Sequence, residues 1–127
     1  MKKLIMILVA LFCATNIFAS GLKATQFYVR YNINQEWTEW ESKPCDLRVT
    51  YDKGKLIIGS PTSQKYTVGD YTSYTDYEGN KRITFSFFDK DWNRGIIEFV
   101  IYKKLQLPQI YIRYDNIQWA YDLEAVN

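Results

Sequence analysis

Residues 110–123 read IYIRYDNIQWAYDL. Ile110, Ile112 and Tyr114 alternate with Tyr111, Arg113 and Asp115. Asp115-Asn116 then breaks the run, and Ile117, Trp119, Tyr121 and Leu123 resume it. Residues two apart share one face of a strand, so each run reads as a strand with one apolar face. A tight polar break between two such runs is hairpin chemistry, and hairpins force antiparallel neighbours.

The same period runs back through the chain. Phe27, Val29, Tyr31 and Ile33 share a face, as do Cys45, Leu47, Val49 and Tyr51. Asp52-Lys53-Gly54-Lys55 is a turn, and Leu56-Ile57-Ile58 returns from it. Gln64–Val68 is a strand, Gly69-Asp70 a bend or bulge, and Tyr71–Tyr77 continues beyond it. Glu78-Gly79-Asn80-Lys81 is a second hairpin turn before Ile83, Phe85 and Phe87. Asp89–Arg94 is a polar loop, Ile96–Tyr102 a strand and Lys103–Pro108 another loop. Helical spacing is scarce; one turn of helix is expected around Trp37–Ser42, before Pro44. Eight or so short strands joined by tight turns must curl or fold onto a second sheet. The expected fold is all-β, a single antiparallel meander closing into a small β-barrel, with a β-sandwich as the alternative.

The N-terminus reads differently. Lys2 and Lys3 precede an apolar run from Leu4 to Ala14, and Ala19-Ser20 offers a small-residue cleavage point. The run is far shorter than the roughly 20 residues of a membrane-crossing helix. This is the pattern of a cleaved secretory signal, with cleavage expected after Ala19 or, second, after Ser20. Lipid attachment at Cys13 is disfavoured by Phe12, where a small residue belongs. The expected organisation is a signal over 1–19 and one β domain over 20–127, exported to the periplasm or beyond. Loss of Lys2 and Lys3 brings the 16 basic residues down to 14, against 14 acidic ones. A neutral chain without a Lys/Arg cluster gives nucleic-acid binding no electrostatic support. No stable membrane insertion is expected after cleavage, and the chain is expected to be a monomer. Cys45 is left without an internal partner, and reads first as a buried apolar thiol, second as a link between chains.

Catalytic residues are hard to find. The chain has no His, which removes the commonest general base, the commonest metal ligand and the usual triads. Paired carboxylates of the kind glycosidases need are not singled out by any spacing. Asp89-Lys90-Asp91 opens like a calcium loop, but Arg94 and Val100 hold the positions where Gly and Glu belong. It reads as a polar turn. No catalytic residue, metal ligand or cofactor is assigned.

Aromatic and Arg residues are the remaining signal. FYVRY at 27–31 echoes IYIRY at 110–114. In each, Tyr-x-Arg (Tyr28 and Arg30; Tyr111 and Arg113) faces away from the apolar side. If an early and a late strand meet to close a barrel, the two pairs lie side by side. They read first as sheet chemistry and second as a ligand platform. Trp37-Thr38-Glu39-Trp40 is a sugar-stacking or docking spot if exposed, though at least one Trp is expected to plug the barrel end.

Trp37-x-x-Trp40 with Cys45, Ile57-Ile58-x-Ser60, Gln64-x-Tyr66, Asp89-x-Asp91, Tyr111–Tyr114 and Trp119-x-Tyr121 resemble small exported β-rich proteins of gut-type Gram-negative anaerobes. That group has no established activity. The resemblance implies export and a single β domain, and no catalytic residue. The function expected from the sequence is a non-enzymatic binding module. It would hold a protein or glycan through Trp37, Trp40, Tyr28, Arg30, Tyr111 and Arg113. The alternative is a carrier of a small apolar ligand inside the barrel, set second because bulky inward residues should fill the interior.

Overall fold

The computed structural model describes residues 22–52, 54–59, 64–104 and 108–125. The signal read over 1–19, Cys13, Lys53 of the first turn and Ser60 lie outside the described residues. The strands are β1 (Leu22–Ile33), β2 (Glu36–Trp37), β3 (Glu41–Asp52), β4 (Lys55–Ile58) and β5 (Gln64–Thr75). They continue as β6 (Lys81–Asp89), β7 (Arg94–Ile101), β8 (Pro108–Arg113) and β9 (Ile117–Ala125). Every pairing is antiparallel, and each strand from β3 to β9 pairs with the next. β1 pairs with β3 on one side and β9 on the other, so eight strands close into a barrel and β2 is an extra short strand.

The expected helical turn around Trp37–Ser42 is instead extended chain. Asn34 and Gln35, both with positive φ, turn β1 back on itself, and Ile33 pairs with Glu36. Two positive φ values at the centre of a two-residue loop match the twist of the flanking strands. Beyond β2 the Thr38 amide donates to the Tyr31 carbonyl, and the Thr38 hydroxyl accepts from the Tyr31 amide. The ladder thus runs past Trp37 and keeps Thr38 extended. The second hairpin turn begins two residues earlier than expected. Asp76 Oδ1 accepts from the amides of Glu78 and Asn80 and so organises it.

Two bulges set the faces. Opposite β9, Ala24 pairs with Leu123 and Gln26 with Asp122, so Thr25 is an extra residue. Leu22 and Ala24 point inward before it, Phe27 and Val29 after it. Gly69-Asp70 does the same in β5, between Val68 and Tyr71. The inward side chains form one core that includes Leu56, Ile58, Ile83, Ile97, Ile110 and Leu123. Aromatic rings continue it: Phe87 lies edge-on to Tyr66 at 5.0 Å and to Tyr114 at 5.3 Å, and Phe85 to Phe99 at 6.1 Å. An eight-stranded barrel has about the width that side chains fill, and this one is filled along most of its length.

Candidate functional site

β9 lies between β1 and β8 and its residues alternate. Trp119 and Tyr121 point inward, and Gln118, Ala120 and Asp122 point outward. The register then sets two rows across three strands: Tyr28, Ala120 and Tyr111, and above them Arg30, Gln118 and Arg113. The two Tyr-x-Arg pairs therefore share one outer face, but one strand separates them, since β1 closes on β9 rather than on β8. All six residues expected from the sequence gather on this face or at its upper edge.

Neither Trp37 nor Trp40 plugs the barrel. They are 36% and 38% exposed, on the outside. The Arg30 guanidinium lies 5.0 Å from the Trp37 ring centre and 4.5 Å from that of Trp40. A cation over an indole face is attracted by the ring quadrupole, and this holds both Trp residues on the outer face. Trp40 also meets the Tyr111 ring edge-on at 6.3 Å.

Ala120 is the smallest residue of the outer rows, so a slot opens above it. The slot holds about 260 Å³, with Tyr28, Trp40, Tyr111 and Gln109 around Ala120. The polar neighbours are held in a network. Asp122 accepts from the Tyr28 hydroxyl at 2.8 Å and from Gln109, and Gln109 Oε1 accepts from the Tyr111 hydroxyl at 2.8 Å. Burial, then the Asp122 bond and charge, push the Tyr28 phenol up to about 12. Gln118 Oε1 accepts from Arg30 Nε at 3.0 Å and Nη2 at 2.7 Å, and more distantly from Arg113. Arg113 stacks 4.6 Å over Tyr111 and donates to Glu98, which also binds Arg82 and Thr84. The slot thus has aromatic walls, a small apolar floor and a fixed polar rim.

The chain matches no known family, curated protein or solved structure.

Sequence reasoning missed Ala120, Gln109, Gln118 and Asp122. Their parity on β8 and β9 was legible, but the register that sets Ala120 between two tyrosines was not.

A second feature lies at the barrel end reached by Tyr31, Lys43 and Ile117. An open cavity of about 640 Å³ is walled by Phe27, Val29, Leu47, Ile117, Trp119 and Tyr121, with Pro44, Cys45, Lys43 and Gln64 completing it. Gln64 Nε2 donates to the Tyr121 hydroxyl at 2.6 Å. Its Oε1 accepts from Tyr66 at 2.8 Å and from the Trp119 indole at 3.2 Å. Cys45 is half-buried against the core, and burial, followed by the charge of Asp46, pushes its thiol up. It therefore packs chiefly as a small apolar group, with little thiolate.

Across Trp119 the polar loops meet. Asp89 Oδ1 accepts from the amides of Asp91 and Asn93 at 2.9 Å each, and Oδ2 accepts from the Tyr114 hydroxyl at 2.8 Å. Desolvation opposes the charge on Asp89, but these bonds prevail and hold its carboxyl below the usual range. One oxygen of Asp89 caps its own turn and the other ties that turn to Tyr114.

Proposed function

We propose that this chain is an exported, non-enzymatic binding module that holds a glycan in the slot above Ala120. The slot itself carries this reading. A sugar ring has one face of C–H groups and a rim of hydroxyls. The aromatic carbon of Trp40, Tyr28 and Tyr111 that lines the slot suits the first, and planar amide and guanidinium groups suit the second. Among the described residues nothing accepts from the Gln118 amide nitrogen, so a ligand hydroxyl at the rim can. About 260 Å³ suits one or two rings better than a broad protein epitope.

A binding rather than a hydrolytic role is supported by the carboxylates nearby. Asp122 is held by Tyr28 and Gln109, and Glu98 by Arg82, Arg113 and Thr84, so neither is placed as a free acid or base. The outer face supports a barrel surrounded by water. Lys23, Gln26, Arg30, Arg48, Thr84, Glu98, Gln118 and Asp122 point outward, the reverse of the apolar band of a membrane-spanning barrel.

A glycan array followed by calorimetry tests the reading. Trp40→Ala should weaken the best glycan about thirtyfold, roughly 2 kcal/mol for a central aromatic contact. Ala120→Leu, which fills the slot without removing a polar partner, should abolish binding while thermal unfolding stays cooperative. An array with no hits, or full binding by both variants, would sink the proposal and turn attention to a protein partner.

A further inference from the structure

The cavity at the Tyr31 end is far from the slot's chemistry. Its walls are carbon: Phe27, Val29, Leu47, Ile117 and the ring of Trp119. Its main polar group is Gln64, whose amide already serves Tyr66, Trp119 and Tyr121. A guest therefore finds little hydrogen bonding inside. At about 640 Å³ the space lies within the usual range of small-ligand sites.

Lys43 is the exception. Among the described residues it is the single charged one of the lining, and it is exposed at the rim. Its ammonium lies 5.6 Å from the Phe27 ring centre, so its stem lies along the mouth. Among the described residues no carboxylate reaches it within ion-pair distance. The pairing of Lys43 with the inward Phe27, and of Glu41 with the inward Val29, puts both charges on the cavity side of β3. The wall thus selects an apolar tail, and the unpaired cation selects an anionic head.

We propose that this cavity binds a fatty acid, its chain against Phe27, Val29, Leu47 and Trp119 and its carboxylate on Lys43. This goes beyond the glycan site and does not depend on it. Glu41, two residues along the same face, repels the head and tempers the affinity.

The test is a titration of the delipidated mature protein with doxyl-labelled stearic acid, read as quenching of Trp fluorescence and reversed by unlabelled palmitate. Saturable quenching with a micromolar Kd is expected, with a 1:1 adduct in native mass spectra. The methyl ester should bind about three- to fivefold more weakly, as expected when an exposed charge pair is lost. Lys43→Gln should weaken the acid by a similar factor and leave the ester unchanged, and Glu41→Gln should tighten the acid. Both positions are exposed, so both variants keep the fold. Trp40→Ala should leave this binding intact while weakening the glycan about thirtyfold, which separates the two sites. No saturable quenching by the acid overturns the proposal. Equal binding of acid and ester, unaltered by Lys43→Gln, overturns it as well.

Discussion

Gln64 joins β5 to two groups of β9 and to its own Tyr66. Gln64→Leu keeps the volume but strips the buried Tyr66 and Tyr121 and the half-buried Trp119 of a partner. Leaving a buried donor unsatisfied costs more than a made bond contributes. The expected loss is about 2–3 kcal/mol in urea unfolding; a loss below about 0.5 kcal/mol would mean that water replaces the amide. Gly95 makes a second residue-scale prediction. A Cβ there would strike the Arg113 carbonyl oxygen, and it would come within 2.7 Å of the Phe87 ring. Gly95→Ala should therefore cost about 1–3 kcal/mol through overpacking and a forced shift of β7 from β8; an unchanged melting temperature would refute the close approach. A glycine inside a strand often marks such contact, so this position was readable in outline. Tyr28, Arg30, Tyr111 and Arg113 were readable too, because parity put them on one outer face. Ala120 was not, because a small residue gains meaning only from the neighbours the register gives it.

Spacing exposes the elements better than it exposes the site. Inward residues two apart mark the strands, and the two places where the spacing slips to three, Ala24 to Phe27 and Val68 to Tyr71, are the two bulges. The slip at Gly69-Asp70 is announced by a glycine, whereas the one at Thr25 carries no such residue and shows only in the count. The Trp37–Ser42 segment misled because its two Trp three apart mimic one helical face. A cation from β1 and a ladder bond from Tyr31 decide against it, and both are tertiary. This hairpin also has a weak point. Gln35 carries φ 68 without being glycine, a conformation that costs a side-chain-bearing residue about 1 kcal/mol. Gln35→Gly makes the Asn-Gly pair that such turns favour. Its expected effect is slower hydrogen exchange at Ile33 and Glu36, the pair that closes the turn, with the Phe27–Tyr121 region unchanged. Exchange that stays fast at Ile33 would mean that the tip is ordered by Trp37 and Arg30 rather than by its turn.

At the scale of the whole molecule, the hairpin order follows from short connections, but closure does not. Only the pairing of β1 with β9, between the two ends of the domain, distinguishes the barrel from an open sheet or a sandwich. That pairing follows from twist accumulated over eight strands, which no local run encodes. Closure also fixes how the molecule answers to pH. It buries the phenols of Tyr66 and Tyr114, packing on the outer face buries that of Tyr111, and desolvation is the first cause raising each above its ordinary value; Tyr28 is raised to about 12. In the unfolded chain these phenols ionise near pH 10. Their contribution is therefore complete below about pH 10 and is lost as the pH rises through the folded values, near 12 for Tyr28. Asp76 and Asp89 act in the opposite sense. Desolvation works against their charge, but bonds from Arg82, Asn80 and Glu78 to Asp76, and from Tyr114, Asn93 and Asp91 to Asp89, lower both. Their contribution is present above the unfolded carboxyl value of about 3.9 and is lost as the pH falls below it. No His lies between these limits. The melting temperature should be flat from about pH 5 to 8, fall below pH 4, and fall again above pH 10. Asp76→Asn should shrink the acid limb and leave the alkaline one intact, whereas Asp89→Asn should change both, because Asp89 also holds the Tyr114 phenol. A step between pH 5 and 7, where no side chain of this sequence ordinarily titrates, would show that the melting unit is not this barrel alone.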